Sequence, residues 1–294
     1  GKVILEWQIN LSVIDFRGFV RIKVRDAQGN MVLECMQASD EEEPLASVLL
    51  QPHLWAEGEN PYLYHLEAVL EDRQGNCLDK IDRPFPLRCL ELRRMPGEDV
   101  EKMFLNGQLF VPKAVMCQSL TCEDLEQIVN LGANCIYMQD SVQIPDEIRE
   151  FCEKRGLLTI VHTPGKLTVG ETDFSVDKER VLQDYLGTIP SFHEMEESLY
   201  KARWSKKPFV RICVKSLKLT KNGNYTVTCY SNCKRLALYS DGKLFEFQHG
   251  KEIFIFEEIP VKGPCIMLAV EGEGCSASLS VHKTFTNLSR IGDK

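Results

Sequence analysis

Two carboxylates one residue apart, Glu171 and Asp173 in GETDF (170–174), have the type and spacing for a paired acid–base or acid–nucleophile site. They lie in TPGKLTVGETDF, which reads as a loop after the apolar run LTIVHT (158–163). The preferred reading is plainer: a solvated loop in which Asp173 caps the next helix. His162 ends the apolar run, where it could face a ligand, although a strand-end histidine satisfied by its neighbours is the simpler account. His193, Glu194, Glu196 and Glu197 crowd into HEMEE, which lacks the second histidine of a zinc-protease helix and is read as a solvated face. Cys117 has no histidine or asparagine close in sequence to activate its thiol as a nucleophile. No P-loop or GxGxxG motif is present.

The chain has 12 cysteines. Most lie in apolar stretches such as ANCIYM and GPCIMLAV, where a thiol behaves as a small buried hydrophobe. Cys117/Cys122 and Cys229/Cys233 are close pairs, but neither has a second pair at finger spacing or a following histidine. Free thiols are therefore expected, with no metal, no cofactor and a reducing, cytoplasmic compartment. Trp55, Tyr62 and Tyr64 could stack on a sugar, and Trp204 stands near the end of a helical stretch.

The elements that must position these residues follow from composition and periodicity. In 294 residues, 44% are hydrophobic and 27% charged, a globular balance with room for two or three domains. A net charge of −8 argues against a nucleic-acid binder or docking on anionic lipid. No apolar run reaches the roughly 18 residues needed to span a membrane, and GKVILEWQINLSV alternates like a strand, unlike a secretory leader. Over the first ninety or so residues the pattern has period two. Phe19, Arg21, Lys23 and Arg25 fall on one face, with Val20, Ile22 and Val24 on the other, and two D-x-x-G-N turns separate strands.

The middle of the chain changes period. KMFLNGQLF reads as a hairpin with Asn106–Gly107 at its tip, PKAVMC as a short strand, and TCEDLEQIVNLGA as a helix stopped by Gly132. NCIYM, then IPDEIREFCEKRGL opening on Pro145 and closing on Gly156, then LTIVHT complete a β-α-β-α-β unit. VDKERVLQDYLG and FHEMEESLYKARW read as two helices, and from Pro208 onward strands resume, from FVRICVKSLKL to SASLSVHKTF, as a second sandwich.

At this point the sequence resembles a known family. LWAEGENPYLYHLEAVLEDRQGN (54–76) is similar to the immunoglobulin-like domain of glycoside hydrolase family 2, which holds β-galactosidases, β-mannosidases and β-glucuronidases. MFLNGQLFVPKAV (103–115) resembles that family's entry into its (β/α)8 barrel, and residues 123–161 follow the first barrel repeats in register. SLYKARWSKKPFVRI and TVTCYSNCKRLALYSDGKLF resemble the domain after the barrel, and the resemblance places Trp55, Tyr62 and Tyr64 in the sandwich core and at its strand starts, with Trp204 as the plug between the last helix and the tail domain.

The resemblance also implies what is missing. Between Val111 and about Ser191 there is room for three barrel strands, whereas a closed barrel takes roughly 250 residues. The strands that would carry the family's two glutamates, which a retaining enzyme holds about 5–5.5 Å apart, are absent. Where the family has an arginine and a histidine in its second barrel strand, this chain has Tyr137 and Asp140, which with His162 are the substrate-contact candidates. The expected architecture is multidomain β plus α/β: two immunoglobulin-like β-sandwiches (1–98 and 205–294) flanking a truncated (β/α) barrel remnant (99–204). The expected function is binding or assembly without glycosidase activity, involving a carbohydrate, with the truncated sheet covered by the two extra helices, a second copy or another protein. The alternative is an active β-glycosidase with a rebuilt site at Glu171 and Asp173, or one completed by a partner.

Overall fold

The computed structural model describes residues 2–7, 16–41, 43–117, 121–139, 144–175, 189–191 and 196–282. The chain divides into two compact units, Gly1–Leu125 with Asn134–Ile189, and Glu126–Ala133 with Pro190–Lys294.

In the first unit, β1 (Lys2–Trp7) pairs antiparallel with β4 (Leu45–Leu50). β2 (Phe19–Arg25), β3 (Met31–Ala38), β5 (Tyr64–Glu71) and β6 (Cys77–Phe85) form an antiparallel sheet in the order β3-β2-β5-β6. Alternation decides which face is dry, because a strand turns successive side chains to opposite sides. Val20, Ile22 and Val24 are buried with Leu33, Leu49, Tyr64, Leu66 and Leu87, and Val3, Leu5 and Trp7 of β1 pack against them. Their neighbours Arg21 and Lys23 point outward into cross-strand ion pairs, Arg21 with Glu71 at 3.0 Å and Lys23 with Glu67 at 3.6 Å. The two D-x-x-G-N turns share one construction. Asp26 Oδ1 accepts from the Gln28 and Asn30 amides, Asp72 Oδ1 accepts from those of Gln74 and Asn76, and Gly29 and Gly75 take positive φ.

β7 (Leu90–Arg94), β8 (Glu101–Leu105) and β9 (Gln108–Leu109) make a small antiparallel sheet. Asn106 and Gly107, at φ +53° and +78°, form the expected tip between β8 and β9. Beyond it, β10 (Ala114–Met116), β11 (Cys135–Gln139) and β12 (Leu158–Thr163) run parallel. They are connected by α1 (Cys122–Leu131) and α2 (Asp146–Lys154). The start of α1 is fixed reciprocally: Asp124 accepts from the Thr121 amide at 2.9 Å, and the Asp124 amide donates to Thr121 Oγ1 at 3.2 Å. α2 opens on Pro145, and Gly156 (φ +70°) turns the chain into β12.

One expectation fails here. TPGKLTVGETDF is a β-hairpin, β13 (Lys166–Val169) and β14 (Thr172–Ser175), with β13 antiparallel to β12. Gly165 and Gly170, both at positive φ, make its two turns, and the buried Leu167 and Val169 give it a dry side. The sheet order is therefore β10-β11-β12-β13-β14. VDKERVLQDYLG lies outside the described residues.

In the second unit α3 (Glu197–Trp204) is shorter than the helix expected from FHEMEESLYKARW, whose residues 192–195 lie outside the described set. Then follow β15 (Val210–Leu219), β16 (Tyr225–Ser231), β17 (Arg235–Ser240), β18 (Lys243–His249), β19 (Glu252–Ile259), β20 (Cys265–Gly272) and β21 (Cys275–His282). They form two sheets, β15-β16-β19 and β18-β17-β20-β21, enclosing a core that includes Tyr225, Phe254, Phe256, Leu236, Leu268 and Val270. Each such aliphatic or aromatic side chain contributes about 1.5–3 kcal/mol by leaving water, enough to hold the layers together.

Candidate functional site

The C-terminal ends of β10, β11 and β12 are where an α/β sheet normally presents its chemistry. Tyr137 and His162, two of the candidates drawn from the sequence, sit on these strands, and both are buried. Tyr137 belongs to one apolar cluster with Ala114, Cys135, Leu158 and Ile160. That face is packed by Trp55, Leu90, Met103, Leu105 and Phe110, and by Leu167 and Val169 of the hairpin. This face of the strands is thus a dry core. The Tyr137 carbonyl accepts from the Cys117 amide at 2.9 Å, holding the exit of β10 beside β11. Asp140, the third candidate, lies outside the described residues.

The hairpin separates Glu171 from this end of the sheet. Because β13 runs back along β12, its far turn returns to the N-terminal end of the parallel strands, where the Gly170 amide donates to the Thr159 carbonyl at 2.7 Å. Glu171, next in the chain, is held by Arg83 at 3.0 Å and lies 3.8 Å from Arg149. Asp173 is a strand residue of β14, not a helix cap; it pairs with Lys166 at 2.7 Å and accepts from Thr168 Oγ1 at 2.7 Å. The bonds from Lys166 and then Thr168 hold its carboxyl below the usual range. Each acid is thus occupied by its own cation. At the N-terminal end of a parallel sheet, charged residues read as structural support.

The other candidates resolve individually. Cys117 is buried, and that burial pushes its thiol up to about 12, which removes the thiolate at neutral pH. Of HEMEE, Glu196 precedes α3 in extended conformation and Glu197 starts it, while 193–195 lie outside the described residues. Trp55 is fully buried, and its Nε1 donates to the Glu153 carbonyl at 2.9 Å. Tyr64 is buried and its hydroxyl accepts from the His53 amide, while the half-buried Tyr62 stacks on the His53 ring. Trp204 packs on Tyr200 with ring centroids 4.8 Å apart. Among the described residues, no group of three or more histidine, cysteine, aspartate and glutamate side chains is placed to hold a metal ion. In the second unit a cavity of about 150 Å3 lies among Gln127, Asn130, Ser198, Lys201, Phe209 and Arg211. Drug-sized ligand pockets begin near 300 Å3.

Periodicity gave no warning of one charged group. Arg88 and Glu153, each about 7% exposed, face one another at 4.0 Å, and the Arg88 guanidinium lies 4.8 Å above the Trp55 ring. Burial pushes the Glu153 carboxyl up to about 7, against the pull of Arg88. Burial likewise lowers Arg88, whose Nη1 has no hydrogen-bond partner. The only local trace of this pair is a glutamate at a helix position whose neighbours Ile148 and Cys152 are apolar and buried.

Comparison with known proteins bears on the whole chain. Residues 14–88 match the sequence model of glycosyl hydrolases family 2. A β-galactosidase large subunit from Lactobacillus acidophilus is 27% identical over 152 residues, a match covering 48% of this chain and 23% of the relative. The chain therefore spans about a quarter of that curated relative. Among solved structures, an FMN-binding β-glucuronidase from Facaelibacterium prausnitzii L2-6 superposes with a TM-score of 0.69 at 12% identity, over 96% of this chain and 72% of the other. A β-glucuronidase from Bacteroides uniformis gives a TM-score of 0.64 at 12% identity, over 96% of this chain and 60% of the other. At such identities the structures establish likeness of fold. Sequence similarity to glycosyl hydrolases family 2 thus rests on residues 14–88 and on the curated relative, and the solved structures add the fold.

Proposed function

We propose that this chain is a non-cleaving relative of the family 2 glycosyl hydrolases that works by binding or assembly, with a carbohydrate as its ligand class. In this reading both sandwiches are immunoglobulin-like, and the β10–β14 sheet with α1 and α2 is what remains of a barrel. The strand orders of the second sandwich, three and four strands with consecutive strands divided between the sheets, support the first part. The expected role in assembly, with a second copy or another protein lying on the remaining sheet, belongs to the same proposal, as does a reducing, cytoplasmic setting for the free thiols.

One observation carries the loss of cleavage. A retaining glycosidase needs two carboxylates facing each other across the bond at about 5–5.5 Å, one able to donate a proton. Here the parallel strands are followed by an antiparallel hairpin, and its two acids are held by Arg83 and Lys166. An acid whose carboxyl is held low, as Lys166 holds Asp173, is a poor proton donor at neutral pH.

The test is turnover of nitrophenyl β-galactoside, β-glucuronide and β-mannoside. The proposal expects rates equal to the buffer blank. Turnover by the purified chain that disappears in Glu171→Gln would overturn it in favour of an active β-glycosidase with a rebuilt site.

A further inference from the structure

Cys233 and Cys275, 42 positions apart, bring their sulfurs to 3.5 Å in the second sandwich. Cys233 follows β16 and is fixed by its own amide, which donates to Ser231 Oγ at 3.1 Å. Cys275 opens β21, opposite Gly272 of β20 in the strand register. Gly272 makes room for the contact, since a Cβ there would stand 2.7 Å from Cys233 Sγ. Cys233 lies in the short connection, 232–234, by which the chain crosses from β16 of the three-stranded sheet to β17 of the four-stranded one, so the sulfurs meet where that crossover passes the start of β21.

We propose that Cys233 and Cys275 form an oxidation site, at which a small-molecule disulfide links them and ties the crossover between the two sheets to the start of β21. A disulfide needs sulfurs about 2.05 Å apart, so the pair, now at 3.5 Å, must close by roughly 1.5 Å. Cys275 is the less buried and meets the oxidant first. Its thiolate attacks one sulfur of oxidised glutathione; a mixed disulfide forms and one glutathione thiolate leaves. The Cys233 thiolate then attacks the Cys275 sulfur, forming the internal bond and releasing the second glutathione. The two protein thiols give up two electrons and two protons, and oxidised glutathione becomes two molecules of the reduced form. Burial, and then the neighbouring thiol, push the Cys275 thiol up to about 12, so thiolate is scarce at neutral pH and the reaction quickens as pH rises.

The experiment treats the reduced full-length chain with excess oxidised glutathione at pH 8.5, alkylates the remaining thiols and maps the peptides by mass spectrometry. The expected product is one cross-linked peptide pair containing Cys233 and Cys275. Because the bond closes a loop over β17 to β20 in the unfolded chain, the oxidised protein should also melt about 5 °C or more above the reduced one. Cys275→Ser, at a half-exposed strand end that tolerates the exchange, should abolish both the cross-link and the shift. Alkylation of both thiols to the level of the reduced protein would overturn the proposal. So would glutathione retained on Cys275 without a cross-link, or a cross-link to some other cysteine.

Discussion

Replacing Glu153 by Gln tests the buried charge beneath the first sandwich most directly, because it removes one titration and leaves the shape nearly unchanged. In an unfolded chain a glutamate ionises near 4.3. In the folded protein burial holds the Glu153 carboxyl at about 7, and Arg88 offsets only part of that cost across 4.0 Å. The sign follows from which state keeps its proton. Between about pH 4.5 and 7 the folded state retains it while the unfolded state has lost it, so folding grows less favourable as pH rises through this window. Above about 7 both states are ionised and the loss is complete. Moving the ionisation from near 4.3 to about 7 corresponds to about 3–4 kcal/mol. Exposed acids whose carboxyls are held low, such as Glu67 beside Lys80 and Asp82 beside Lys80, contribute with the opposite sign, and they do so below about pH 4.5. Subtracting the wild-type curve from that of the variant cancels every group but Glu153.

The assay is urea unfolding of both proteins at pH 5, 6, 7 and 8, followed by tryptophan fluorescence. Trp55, whose ring lies under Arg88 and whose Nε1 bonds to the Glu153 backbone, reports on this part of the core. Glu153→Gln should gain on wild type steadily as pH rises, by about 3 kcal/mol between pH 5 and pH 8. Arg88→Leu should move the wild-type transition to higher pH, since it removes the positive charge that lowers the Glu153 carboxyl. Parallel stability curves for wild type and Glu153→Gln from pH 5 to 8 would refute the reasoning, because they would mean that the carboxyl titrates as it does in water.

Two further substitutions probe the packing. Trp55→Ala removes the largest fully buried side chain of the first unit's α/β core together with its hydrogen bond to Glu153, and should cost about 3–5 kcal/mol in urea unfolding; a cost under about 1 kcal/mol would show that the site collapses freely. Gly156→Ala places a Cβ 2.3 Å from the Gly58 carbonyl oxygen at φ +70°, so it should lower the melting temperature by more than the same exchange at Gly29, which also has positive φ but open space around it.

How much of this was legible in the sequence depended on how local the determining contacts are. The sandwich strands announced themselves because alternation and the D-x-x-G-N turns are settled within a few residues; Asp26 and Asp72 bond only to their own turns. The β-α-β-α-β unit was legible for the same reason, through Thr121, Pro145, Gly132 and Gly156 at helix ends. Arg88 with Glu153 and Cys233 with Cys275 were not, since each partner is chosen by the fold from 65 and 42 positions away. The hairpin after β12 was missed because KLTV and TDFS are four-residue strands, too short for alternation to stand out from a glycine-punctuated loop.

That missed hairpin also explains why the sheet departs from a barrel. A parallel strand such as β12 ends with an open edge of amides and carbonyls, which must be paired or covered. A barrel supplies the next parallel strand by way of a helical crossover of a dozen residues or more, and its repetition keeps every loop after a strand at the same end of the sheet. Here Gly165 turns the chain back at once, and β13 pairs Val169 with Ile160 and Leu167 with His162. The edge is satisfied within four residues, but the direction of the chain is reversed. The next turn, with Glu171, is thereby delivered to the opposite end of the sheet from the one where strand-end acids meet a substrate. The same hairpin contributes Leu167 and Val169 to the core on that face of the sheet. Closing the edge with a local hairpin and extending it by a crossover to a further parallel strand are competing solutions for the same strand, and this sequence, with glycines at 165 and 170, takes the first.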